Sequence, residues 1–241
     1  MLLAEQFRTR VTEAFSSGAA TVDLLPMVFA RAAASLLPVA GAGLSMTDHL
    51  RIPLAATDDD VVIAERLQTT IGEGPCLTAV TLGKPLVADL ASMAASWPTF
   101  HERFAAELPY RSIASFPLRA TPGTYVGALD LYSNSPDTLT DRELDEVDAA
   151  IATPIASMLF RDAAVEEPDG LAVPGWLGKE SVNERMNVWV AVGMSMERLK
   201  LNNLDTLALL RGYAYAHGLT LDQVAHQVTD QGLQPDELLA H

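Results

Sequence analysis

The chain has 241 residues, of which 49% are hydrophobic and 20% charged; this length holds one or two domains, and this composition builds a packed core rather than a disordered chain. Sixteen Lys and Arg stand against 31 Asp and Glu, a net charge of −15. That balance excludes a general polyanion binder, whose affinity rests on clustered cations, but leaves room for a small basic patch.

Short apolar strands alternate with helical segments from about residue 20 to 160. Asp23 to Leu37 is predicted as a helix rich in Leu and Ala. Val39 to Thr47 follows as a strand of small residues, and Arg51 to Ala56 as its neighbour across a turn at Thr47-Asp48-His49. Asp58-Asp59-Asp60 opens a helix reaching about Gln68, with acids placed where the helix dipole is positive. Gly72-Glu73-Gly74-Pro75 breaks the chain. Pro85 to Ala88 reads as a short strand and Trp97 to Leu108 as a helix. Arg111 to Arg119 and Tyr125 to Leu131 read as a hairpin turning at Thr121-Pro122-Gly123. Thr140-Asp141-Arg142-Glu143 is a capping box for a helix to Arg161, which Pro154 should kink. Strands mixed with helices, one hairpin among them, indicate an α+β domain.

Residues 161 to 175 carry prolines, glycines and acids and read as a linker. Beyond it every segment reads as helix. Positions 182, 185, 189, 192, 196 and 199 repeat at coiled-coil spacing. Their apolar members, Val182, Trp189, Val192, Met196 and Leu199, form a stripe for a partner helix, in a homodimer or within the chain. Asn202 and Asn203 offer a cap for a helix from about Leu204 to His217, and Gly218 a stop. Thr220-Leu221-Asp222-Gln223 is a second capping box, for a short helix through Val228.

Catalytic patterns are missing, so no enzyme activity is expected. The five histidines have no metal-ligand spacing, no metal site is expected, and no nucleophile elbow or phosphate loop appears. Cys76, the single cysteine, excludes an internal disulfide and fits a reducing compartment. It follows a turn that can open a helix, and a helix N-terminus lowers a thiol pKa, so Cys76 is a candidate ligand or redox contact beside the alternative of a buried structural thiol. No apolar run approaches the roughly 20 residues that cross a bilayer. Glu5 and Arg8 fall where a signal peptide would be apolar. A cytoplasmic protein without a membrane partner is expected.

Several short runs then carry a resemblance. Gly41-Ala42-Gly43-Leu44-Ser45, Leu54-Ala55-Ala56-Thr57-Asp58, Gly72-Glu73-Gly74-Pro75-Cys76, Asp89-Leu90, Trp97-Pro98, Phe116-Pro117-Leu118-Arg119 and Gly127-Ala128-Leu129-Asp130-Leu131-Tyr132 resemble, in order, the actinobacterial class of GAF sensor domain. Downstream, Ala191 to Arg198, Leu210-Arg211-Gly212-Tyr213-Ala214 and Val224-Ala225-His226-Gln227-Val228 resemble the ANTAR domain. The resemblance implies a GAF domain over 20–160, with a central antiparallel sheet flanked by helices and room for a small-molecule ligand. It implies a linker over 161–180 and an all-α, three-helix ANTAR bundle over 181–241, which binds RNA stem-loops in transcription antitermination. Proteins of this architecture resemble signal-responsive regulators, often homodimeric. No cofactor is assigned.

The match departs from the ANTAR pattern in the first helix, where Val190 and Val192 replace the usual Gln and Lys. The bundle keeps five cations, Lys179, Arg185, Arg198, Lys200 and Arg211, against eight acids. Arg198, Lys200 and Arg211 are the candidate RNA phosphate contacts. The alternative is a degenerate ANTAR fold serving in dimerisation or protein contact without RNA.

Overall fold

The computed structural model describes residues 2–18, 20–47, 51–136, 139–161, 165–166, 172–173 and 179–239. The expected turn residues 48 and 49 and most of the linker lie outside them. So do the side chains of residues 179–186, Val182, Lys179 and Arg185 included.

Five strands form one antiparallel sheet in the order β2-β1-β5-β4-β3. They are β1 (Gly41–Thr47), β2 (Arg51–Ala56), β3 (Leu86–Asp89), β4 (Ser112–Thr121) and β5 (Thr124–Ser133). The β4–β5 hairpin turns tightly, with Gly123 at φ +80°. β2 is an edge strand, which accommodates Pro53, a residue without a donor for the ladder. Successive side chains point to opposite faces. On β5, Leu129 and Leu131 therefore face one layer while Ala128, Asp130 and Tyr132 face the other.

The first face is apolar. α1 (Leu3–Ser16), α2 (Leu25–Leu36) and α8 (Thr153–Arg161) cover it, and Phe7, Phe29, Phe116, Leu129 and Ile155 are fully buried there. α1 was not expected, yet Phe7 and Val11 belong to this core. α7 (Asp141–Val147) begins at the expected capping box, with Thr140 accepting from the Glu143 amide and Glu143 accepting from the Thr140 amide. It joins α8 through one turn of π-helix over Asp148–Ala152. The expected kink at Pro154 is met by this wide turn just before it, which re-registers the hydrogen bonds around a residue with no N–H.

The second face receives α3 (Asp59–Ile71), α4 (Pro75–Leu82) and α6 (Pro98–Glu107), with α5 (Leu90–Ser96) leading into α6. Asp58 caps α3, its Oδ1 accepting from the Val61 amide at 3.0 Å and from the Tyr110 hydroxyl at 3.0 Å. Phe100, Phe104, Tyr110 and Tyr132 run as a chain of ring contacts, with centroids 5.2, 6.4 and 5.1 Å apart.

A two-residue pair, β6 (Val165–Glu166) with β7 (Ala172–Val173), lies within the expected linker. After it come α9 (Lys179–Leu199), α10 (Asn203–Ala216) and α11 (Leu221–Asp230), around a core of their own. Of the expected stripe, Val192 is buried in that core with Val188, Ala191, Leu210 and Val224, and Trp189 and Met196 pack against it, as the intramolecular alternative has it. Leu199 is half-buried at the end of α9. The face of α9 that packs on α10 and α11 is thus Val188, Ala191 and Val192, with Trp189 and Met196 at its margin. Among the described residues no helix is long and apolar enough to cross a membrane.

Candidate functional site

The second sheet face encloses a polar cluster. Small residues make the space for it: a Cβ on Gly43 would fall 2.3 Å from Glu65 Oε1, and one on Gly41 2.6 Å from Val61 Cγ2. Glycine on β1 thus lets α3 approach the sheet closely, with Glu65 laid across the strand.

Arg51, at the start of β2, is the centre of the cluster and is fully buried. Its Nη2 donates to Glu65 Oε2 at 2.6 Å and to Asp130 Oδ2 at 2.9 Å. Its Nη1 donates to the Glu65 carbonyl at 2.8 Å, and its Nε to Cys76 Sγ at 3.0 Å. Tyr132 donates its hydroxyl to Glu65 Oε1 at 2.6 Å. Gln68 ties two elements together. Its Nε2 donates to Asp130 Oδ2 at 3.0 Å, and its Oε1 accepts from the Cys76 amide at 2.9 Å, satisfying a free N–H at the start of α4. Gly74, at φ +139°, permits that approach, since a Cβ there would lie 2.7 Å from Gln68 Oε1. Two acceptors keep spare capacity: Asp130 Oδ1 and, across the β4–β5 ladder, Ser115 Oγ are buried with no hydrogen-bond partner among the described residues.

Burial sets the protonation of the cluster. It pushes the Glu65 carboxyl up to about 7, against the opposing pull of the Arg51 guanidinium and with the help of Asp130. Burial would lower Arg51, but Cys76, Glu65 and Asp130 outweigh it and hold the guanidinium charged. The Tyr132 hydroxyl is pushed well above its ordinary value by burial and by the Glu65 and Asp130 carboxylates.

Cys76 stands in the first turn of α4, and its surroundings favour the buried structural thiol over the activated one. Burial pushes its thiol up to about 12, although Arg51 beside it pulls the other way. It is a neutral, fully buried thiol accepting from a guanidinium, not an exposed thiolate. Arg51, Glu65, Gln68, Asp130 and Tyr132 were missed as a group. The signal available was a charged residue opening an otherwise apolar strand, and an acid inside the run Gly127 to Tyr132.

Each of the three candidate phosphate contacts has a neighbour within the chain. Arg198 Nε donates to Asp236 Oδ2 at 2.7 Å, and Lys200 Nζ to Glu197 Oε1 at 2.6 Å. Arg211, on α10, turns toward the sheet domain: a Cβ on Gly72, which ends α3, would lie 2.7 Å from its Cζ. The α9–α11 helices are docked on that end of α3. The Leu221 amide at the start of α11 donates to Thr70 Oγ1 at 3.1 Å, and the Tyr215 hydroxyl to Glu102 Oε2 at 3.3 Å. Where the sequence departs from the ANTAR pattern, Val190 is exposed and Val192 is buried.

One face of the antiparallel sheet packs on terminal helices and the other encloses polar side chains beneath α3 and α4, an α+β domain. Residues 22–159, more than half of the chain, match the GAF domain family, and the chain belongs to it. No curated protein matches it. Among solved structures it is similar to a domain of a two-component sensor histidine kinase protein from Sinorhizobium meliloti 1021, at 16% identity and TM-score 0.47, over 59% of this chain and 94% of that one. It is similar to the GAF domain of a phosphoenolpyruvate-protein phosphotransferase from Coxiella burnetii, at 13% identity and TM-score 0.46, over 64% and 92% of the two chains. Escherichia coli SdiA is similar at 13% identity and TM-score 0.46, over 94% and 97%.

Proposed function

We propose that the chain is a signal-responsive regulator, not an enzyme, in which the GAF domain senses and α9–α11 form a degenerate ANTAR module that acts by protein contact, a second copy of the chain included, rather than by gripping RNA. One observation carries this reading: all three candidate phosphate contacts are engaged inside the chain, Arg198 by Asp236, Lys200 by Glu197 and Arg211 against the end of α3. Stem-loop binding requires free cations gathered on one side, because the phosphate backbone supplies most of the affinity. The surface of α9 offers instead Val190 and Met194, exposed one turn apart.

The sequence suggests Val192→Lys as a gain-of-binding test, but Val192 is part of the bundle core and a lysine there would unfold it. Fluorescence anisotropy with labelled paired stem-loop RNA at low salt tests the proposal on the native chain. No binding is expected. Binding that weakens steeply as salt rises would restore antitermination.

A further inference from the structure

The polar cluster of the GAF face is closed around the chain's own Arg51, while a partly enclosed space lies elsewhere, at the junction with the C-terminal helices. It is a cavity of about 210 Å³ bounded by α3 and α6 on one side and by α10 and the turn before α11 on the other. Leu67, Ile71 and Leu219 give it apolar walls. Arg66, Arg103 and Tyr215 supply its polar groups, with Glu107 beside Arg103.

Charge and size define what fits. Arg103 is paired to Glu107 along α6. Arg66 is exposed and forms no ion pair among the described residues. The lining carries two guanidinium groups and one carboxylate, with a second carboxylate, Glu102, 3.3 Å from the Tyr215 hydroxyl; Arg66 is the guanidinium left open to an incoming anion. Guanidinium matches carboxylate and phosphate by paired hydrogen bonds. The volume is below the roughly 300–1,000 Å³ of pockets for drug-sized ligands, so the occupant is compact.

We propose that this junction cavity binds a compact organic anion, a carboxylate or phosphate on a small apolar body, and that its occupancy holds α9–α11 on the GAF domain. The consequence follows from linkage. A ligand that touches both sides of a contact binds the docked state more tightly than the undocked one and shifts the chain toward it. Thr70 lines the cavity and also accepts the Leu221 amide that fastens α11, so the ligand and the docking bond share a side chain.

The proposal deepens the sensing half of the function above and is independent of what α9–α11 contact. Its test uses the full chain with benzoate and phenyl phosphate as probes and benzylammonium as the charge control, read by thermal unfolding and calorimetry. Both anions, or the one whose head group the site takes, should raise Tm, and benzylammonium should not. Arg66→Gln, on an exposed helix face, should leave the Tm of the free protein unchanged and weaken anion binding about tenfold or more. In amide exchange, the bound anion should slow the Leu221 N–H. No response to either anion, an equal response to benzylammonium, or binding undiminished by Arg66→Gln would overturn the site. Binding that leaves the Leu221 amide unaltered would overturn the coupling. RNA binding by the chain would sink the protein-contact reading and leave this result standing.

Discussion

Arg51 holds two carboxylates, a thiol and a backbone carbonyl in a space without solvent. Removing one partner of a buried ionic group leaves the others uncompensated, so Arg51→Ala should cost about 3–5 kcal/mol in urea unfolding. Arg51→Lys should recover part of this, because an ammonium keeps the charge but cannot reach Glu65, Asp130 and Cys76 with a planar fork. Glu65 makes stability depend on pH in a stated direction. Its folded value of about 7 lies above the ordinary 4.5, so the folded chain holds a proton that the unfolded chain has released. The resulting stability is fully present below the ordinary carboxylate range and is lost as pH rises through 7. The loss is on the order of 3 kcal/mol at about 1.4 kcal/mol per pH unit. Glu65→Gln should flatten the stability profile between about pH 5 and pH 8; an unchanged slope would show that Glu65 is not the titrating group. This cluster was poorly legible in sequence. Arg51 meets residues 14, 25 and 79 positions away, and such pairings leave no local pattern. For Cys76 the local signal was present and misleading, because helix-end chemistry was outweighed by burial, which depends on the whole sheet.

α3 is the element that joins the two halves of the molecule. Glu65, Gln68 and Thr69 on it belong to the buried polar cluster, and Thr70 and Gly72 at its end meet the C-terminal helices. Gly72 is at φ +80°, as is Gly123 in the β4–β5 turn, where a Cβ would meet nothing. Both Gly→Ala changes carry the left-handed backbone cost of about 1 kcal/mol or more. Gly72→Ala should cost more than Gly123→Ala in thermal unfolding, and the excess should shrink when Arg211 is also Ala, because the three atoms nearest the added methyl all belong to that side chain. Elements with local chemistry were readable. β2 is found over the expected Arg51–Ala56, and the capping boxes at Thr140 and Thr220 open α7 and α11. α1 and α5 were missed: α1 lies before the first recognisable motif, and α5 is a short run of small residues between Asp89 and Trp97. Of the α9 stripe, Val192 is fully buried and Trp189, Met196 and Leu199 are half-buried, while the fully buried Val188, Ala191 and Ser195 each lie one position before a stripe residue. Periodicity gives roughly the face that packs and not the chain it packs on.

At the scale of the whole molecule, the acidic chain spends the described cations of its C-terminal helices, Arg198, Lys200 and Arg211, on itself. The GAF fold was legible because its motifs are local, ordered runs of small and apolar residues. The docking of α9–α11 was not, because it rests on Arg211, Thr70, Tyr215 and Glu102, none of which looks unusual in its own segment. Docking predicts that the units do not open independently of α3. Hydrogen exchange of the Leu221 amide in the full chain is the most direct measurement of this, since its acceptor, Thr70 Oγ1, belongs to the GAF domain. The amide should be protected in the native chain and exchange markedly faster in Thr70→Val, with the amides of β4 and β5 unaffected. An unprotected Leu221 amide in the native chain, or one indifferent to Thr70→Val, would contradict the docking of α9–α11 on the GAF domain through α3.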